Sequence, residues 1–218
     1  MNGTWRTGFG LVALAVVVCL ALGGCLGKPS PVEEYLRVLG QGVGCAASGA
    51  VQPGTAAELN REIVAVKTFK ASESLDRQAV MLAVGRVLTP SLRWYWEASP
   101  GPLSSQAIAG EINCSSHLAA VWPMRSGTRA AKVLAGQVTA FEVQTQGMQV
   151  RIAVRCQLWD GEEAKVLAVS DFESVAPVAA LTSHAVAVSG ASALAALSSQ
   201  IRAWVEQGGV SAGTAQGK

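Results

Sequence analysis

The chain is 218 residues long, 50% hydrophobic and 15% charged, with a formal net charge of +2. That apolar content excludes a disordered chain, and the length suits one domain of ordinary size. So small a net charge excludes a general nucleic-acid binder, whose footprint is a strong basic excess.

The first element is an uncharged run from Gly8 to Leu22, preceded by Arg6. A helix of that length covers roughly 22 Å, short of a hydrocarbon core of about 30 Å. It therefore reads as the hydrophobic part of a secretory signal peptide rather than as a spanning helix. The run ends in Leu22-Gly23-Gly24-Cys25, which resembles the lipobox of bacterial lipoproteins. Small residues before the cysteine let a signal peptidase reach the backbone, and the Cys25 thiol would carry diacylglycerol, with a further acyl chain on its nitrogen. The expected organisation is a signal peptide over 1–24, an acylated Cys25 and tether over 25–32, one folded domain over 33–207 and a disordered tail over 208–218. Leu26, rather than Asp, follows the cysteine. By resemblance to proteobacterial sorting rules this favours the outer membrane over the inner one, with the domain facing the periplasm. Loss of Arg6 takes the 17 basic side chains to 16 against 15 acidic ones. No charge block remains, so attachment has to come from the lipid and not from electrostatics.

Cys45, Cys114 and Cys156 remain beside Cys25. The periplasm permits disulfides, but three thiols make at most one intramolecular pair, and the sequence leaves its membership open. Cys156 falls in the apolar phase of a strand, which suits a buried free thiol. No C-x-x-C spacing supports a structural zinc or a thioredoxin-like motif.

In chain order, Tyr35 to Val43 reads as a first strand. Gly40, Gly42 and Gly44 then open a loop of small residues to Thr55, with no dinucleotide fingerprint. Glu62 to Phe69 alternates and is rich in β-branched residues, which predicts a strand. Ala79 to Val84 and Val87 to Tyr95 predict a pair joined near Gly85, and Pro90 marks part of the second as edge or irregular. Apolar spacing from Leu103 to Ser115 predicts a helix with Pro102 in its first turn and an end near His117. Val121-Trp122-Pro123 suggests a short strand or turn.

The clearest pattern follows. Lys132 to Thr145 predicts a strand in which Gly136 marks a bulge or a close backbone approach. Met148 to Trp159 alternates strictly, with Val150, Ile152, Val154, Cys156 and Leu158 on one face and Arg151, Arg155 and Trp159 on the other. Asp160-Gly161 is a hairpin signal, and Lys165 to Ser174 returns, giving a three-stranded antiparallel meander. Leu181 to Gln207 reads as a final helix, capped by Thr182 or Ser183 and stopped by Gly208-Gly209. The fold class expected is α/β (α+β): a single domain with a largely antiparallel or mixed sheet and two covering helices.

The order of these elements resembles the auxiliary lipoproteins of ABC-type transport systems, the group that includes the paraquat-inducible C-type lipoproteins. The residues that carry the likeness are the lipobox, Tyr35-Leu36-Arg37-Val38-Leu39, Leu75-Asp76-Arg77 before a strand, and Trp94-Tyr95-Trp96-Glu97-Ala98-Ser99-Pro100 entering the first helix. Leu134-x-Gly136-x-Val138-x-x-Phe141, Leu158-Trp159-Asp160 and Ile201-Arg202-Ala203-Trp204 complete it. The likeness spans roughly residues 33–206, and the glycine-rich stretch 40–54 departs from it. It implies a sheet covered by two helices, and a periplasmic partner of a transporter with an MCE-domain substrate-binding protein, a permease and an ATPase. Such systems are linked to phospholipid traffic between the two envelope membranes.

Catalytic residues are not apparent. His117 and His184 lie far apart in sequence, Ser189 and Ser192 make no G-x-S-x-G, and there is no P-loop. The expectation is therefore a protein that is not an enzyme, with no metal, no nucleic acid and no cofactor beyond the lipid on Cys25. A homo-oligomer is compatible with the sequence. Partner-contact candidates are Trp159 with Arg151 and Arg155 on the face opposite the apolar stripe, and Trp94 and Trp96. The last two, with Trp122, also suit a sheet–helix interface. A structural outer-membrane lipoprotein, or an envelope hydrolase with an unrecognised site, is the alternative.

Overall fold

The computed structural model describes residues 32–39 and 61–209. The signal peptide over 1–24, Cys25, the glycine-rich loop and the last nine residues of the tail lie outside the described residues. Among the described residues nine strands form one sheet. They are β1 (Glu34–Leu36), β2 (Glu62–Val66), β3 (Lys70–Ala71), β4 (Ala79–Val84), β5 (Val87–Trp96), β6 (Leu118–Val121), β7 (Lys132–Gln144), β8 (Gln149–Asp160) and β9 (Val166–Pro177). The described residues also form two helices, α1 (Pro100–Ile112) and α2 (Ser183–Glu206). This is the α/β class expected, with the mixed sheet and two covering helices.

The long strand β7 organises the sheet. Along one edge it pairs antiparallel with β8, from Lys132↔Asp160 to Gln144↔Gln149, and β8 pairs antiparallel with β9. Along its other edge it takes three parallel partners in succession: β2 at Lys132 to Leu134, β3 at Gln137 and Val138, and β4 at Glu142 to Gln144. β6 extends the sheet beyond β2, parallel to it. β5 returns antiparallel from β4, and β1 lies parallel on the far side of β5. Parallel pairings therefore outnumber antiparallel ones among the described residues. The antiparallel ladders are longer, because hairpin turns bring whole strands into register whereas the parallel partners meet β7 only over short overlaps.

Alternation along β7, β8 and β9 gives the sheet an inner face. Leu134↔Leu158, Val138↔Val154, Phe141↔Ile152 and Val143↔Val150 are cross-strand pairs, and all eight side chains are buried. The helices close this face, α2 against β8 and β9, and α1 against β6 and β7. Leu103, Ile108 and Ile112 of α1 join Leu194, Leu197 and Ile201 of α2 in one continuous apolar core. Arg202 of α2 reaches Glu111 of α1 at 3.1 Å across the helix pair.

α1 begins at Pro100, earlier than the apolar spacing alone predicts, because proline suits a first turn that needs no donor. It stops at Ile112, before the expected end. There Ser115 Oγ accepts from the backbone of His117 and Leu118, at 3.1 and 3.2 Å, and turns the chain into β6. β6 accordingly precedes Trp122 rather than containing it. α2 is capped as expected: the Thr182 side chain accepts from the Ala185 amide at 3.3 Å. Its Gly190 packs against Val38 and Trp96, where an added Cβ would lie 3.0 and 3.2 Å from their side chains. Gly208 and Gly209, at φ +68° and +84°, end it.

The first strand is shorter than the sequence predicts, ending at Leu36. Glu97 explains the ending, because its Oε1 accepts from the amides of Val38 and Leu39 at 2.8 and 2.7 Å, where a strand partner would otherwise stand. The two-residue β3 had no sequence signal. Gly136 is a close approach, as its Cβ would lie 2.4 Å from the Phe69 ring. The register shift in β7 falls between Val138 and Ala140, not at Gly136.

Candidate interaction surface

The face of the meander opposite the helices is where the sequence places Trp159, Arg151 and Arg155, and the structure keeps them there. Trp159 stands opposite Val133, Arg155 opposite Gln137, and Arg151 opposite Glu142. Trp159 is half-buried and Arg155 exposed.

Arg151 is already engaged. Its guanidinium donates to Glu173 Oε2 at 2.7 Å, and another of its nitrogens lies 3.5 Å from Glu142 Oε1. The Arg151 contact holds the Glu173 carboxyl below the usual carboxylate range, and the same pair raises the guanidinium's pKa. A carboxylate–arginine–carboxylate line thus runs across β7, β8 and β9, and Arg151 has little left to offer a partner. Arg155 is looser, 3.9 Å from Asp171, with both side chains more than half exposed.

Beside Trp159 the sheet opens. Between the end of β2 and β3 the chain leaves the edge of β7, and a cavity of about 570 Å³ occupies the gap. Trp159 and Gln157 form one wall, and Lys67, Lys70 and Arg155 bring positive charge to it. Glu163, from the β8–β9 turn, pairs with Lys67. A smaller recess of about 380 Å³ shares Lys67, Thr68 and Glu163 and continues past Arg125. The result is a shallow basic groove with one aromatic wall, able to receive an extended or acidic segment. Lys67, Lys70 and Glu163 carry no sequence signal of their own. They meet through the short β3 and the hairpin turn, which local patterning does not reveal.

The other two tryptophans divide. Trp96 is fully buried and packs edge-on to Phe141, ring centroids 5.1 Å apart, so it is a core residue and beyond the reach of a partner. Trp94 is half-buried against the same core. Both fill the sheet–helix interface, because residues two apart on β5 share a face and that face is the inner one.

Cys114 is disulfide-bonded, whereas Cys156 is a free, buried thiol. Burial, reinforced by Asp171, pushes the Cys156 thiol upward and keeps it protonated and unreactive. His117 is exposed before β6, at the end of the sheet where β7 begins. His184 is exposed in the first turn of α2, after β9 has run to the other end. Ser189 Oγ donates to the Pro177 carbonyl at 2.6 Å, a bond that seats α2 on β9, and Ser192 is exposed. Among the described residues no group of three or more His, Cys, Asp or Glu is placed to hold a metal ion. Nor is any described helix long and apolar enough to cross a membrane.

The architecture defines a class: a mixed α/β domain with one large sheet covered by two helices. Searched by sequence, the chain matches no family model and no curated protein. Among solved structures it is similar to the protein XCC0632 from Xanthomonas campestris, which carries the family description DUF330. The identity is 16% over 84% of this chain and 90% of that one, with a TM-score of 0.60. It is also similar to an uncharacterized protein at 12% identity, over 66% of this chain and 92% of that one, with a TM-score of 0.58. These likenesses establish the fold.

Proposed function

We propose that the chain is a lipid-anchored envelope protein that serves an ABC/MCE-type transport system as a non-catalytic tether or docking subunit, in phospholipid traffic between the membranes. The lipobox ending at Cys25 supports the anchor. The ordered motifs from Tyr35 to Trp204 support the association with a transporter.

The observation that carries the docking role is the uncovered groove beside Trp159. Its half-buried aromatic wall and its lysines and arginine form a contact surface on rigid strands. Anchoring by lipid raises the effective concentration of the domain for a partner at the same membrane, so modest contacts suffice.

A photo-crosslinking amino acid at Trp159, in the full chain in its native envelope, tests this. The expected adduct joins the chain to an MCE-domain protein or to the permease–ATPase pair. Adducts confined to unrelated proteins, or none when the same probe at exposed Arg155 is also silent, would overturn the docking role.

A further inference from the structure

The hairpin of β4 and β5 exposes apolar side chains at its tip. Val87 is 64% and Leu92 76% exposed, and Val84 and Leu88 flank them. Among the described residues the outer edge of β5 is paired only by β1, from Trp94 to Trp96. The sequence from Ala79 to Trp96 contains no acidic residue. Its cations are Arg86 at the tip, which is exposed, and Arg93, which is paired with Glu34 at 2.6 Å.

The direction of β1 gives this tip a neighbour. β1 runs parallel to β5, with Glu34 beside Trp94. The chain therefore enters β1 from the side toward which the hairpin tip projects. Val87 pairs with Val84 and Tyr95 with Ala79, so the tip lies five β4 residues, about 17 Å, beyond Tyr95. Cys25 lies nine residues before Glu34, and a covalent tether of that length reaches at most about 30 Å. A tether of that length is long enough for a membrane that holds a lipid on Cys25 to meet the tip.

From this we infer that the β4–β5 hairpin is a second membrane contact, with Val84, Val87, Leu88 and Leu92 entering the bilayer interface and Arg86 meeting anionic headgroups. The inference rests on acylation of Cys25. The occupant is the lipid surface because the tether begins there, and because an apolar tip whose unpaired charge is one arginine matches an interface bearing anionic lipid. The contact would orient the domain on the membrane through a second point of attachment.

The test uses the full acylated chain in vesicles of phosphatidylethanolamine and phosphatidylglycerol. Val87→Cys carries an environment-sensitive fluorophore, and Glu162→Cys, in the turn between β8 and β9 at the opposite end of the sheet, is the control. Unsubstituted protein taken through the same labelling gives the background. The expected result is a blue shift at residue 87 and quenching by lipids bearing a nitroxide on the acyl chain, with neither at residue 162. Arg86→Glu should reduce the quenching in vesicles containing phosphatidylglycerol. Protein that floats with the vesicles while residue 87 stays water-like overturns the hairpin contact alone. Protein that fails to float overturns both the anchor and the contact. A shift without nitroxide quenching that follows protein density identifies a second copy as the occupant, and one that needs added envelope extract identifies a protein partner. Either outcome overturns the inference.

Discussion

Gly136 shows how much one missing side chain can decide. Its position faces Cys156 across the ladder, and the Phe69 ring fills the volume that a side chain would take. Phe69 is itself buried, with its amide donating to Ser105 Oγ of α1 at 2.7 Å, so the ring has little room to retreat. Gly136→Ala should destabilise the domain by about 1–3 kcal/mol through overpacking. Chemical denaturation measures this, and adding Phe69→Leu should recover part of the loss, since the two sites share one volume. The sequence announced the site, because an isolated glycine in a strand signals a close approach, but the identity of Phe69 depended on a long-range fold. Trp96 and Trp159 separate in the same way. The alternation of β8 put Trp159 on the uncovered face, whereas the irregular stretch around Pro90 hid which face of β5 was inner.

At the scale of elements, the strongly periodic segments were legible and the short ones were not. β7, β8, β9 and α2 lie within a few residues of their expected bounds, because each buries a continuous stripe that the period exposes. β3 is two residues long, too short for any period, and the parallel pairings of β2, β3 and β4 to β7 depend on topology rather than on local pattern. The basic groove was therefore only half readable: Trp159 and Arg155 came from β8, while Lys67, Lys70 and Glu163 arrived through the parts that had no signal. Two expectations belong to this scale. Thr182→Ala removes the cap of α2 and should cost about 1 kcal/mol, visible as a lower melting temperature. The Arg151–Glu173 pair should make stability depend on pH. The folded carboxyl titrates below its unfolded value of about 4.3, so its contribution is present above that value and is lost as pH falls through the folded one. Glu173 is half exposed, so Glu173→Gln should cost only about 0.2–1 kcal/mol at neutral pH. The difference from the unsubstituted protein should vanish in acid melts. A difference that persists unchanged at low pH would assign the effect to packing instead.

For the whole molecule, the anchor and the fold make separate predictions. Palmitate labelling should disappear in Cys25→Ser. Label retained in that variant would remove the lipoprotein reading while leaving the domain architecture intact. The architecture carries a consequence of its own, through the place of β7 in the chain. β2, β3 and β4 all lie before β7 in sequence, yet it is β7 that joins them into one sheet. β1 likewise depends on β5. Synthesis runs from the N-terminus, so the earliest strands emerge as two separate sets, β2 with β6 and β1 with the β4–β5 hairpin, while the meander from Lys132 to Pro177 can form from its own hairpins as soon as it appears. Order of arrival and order of joining are therefore reversed: the two sets made first have no common edge until β7 follows them. A chain interrupted before Lys132 would keep the pairings of β4 with β5 and of β2 with β6 but not the sheet that unites them. A chain built this way gains from any chaperone that shields its early strands until β7 has been made.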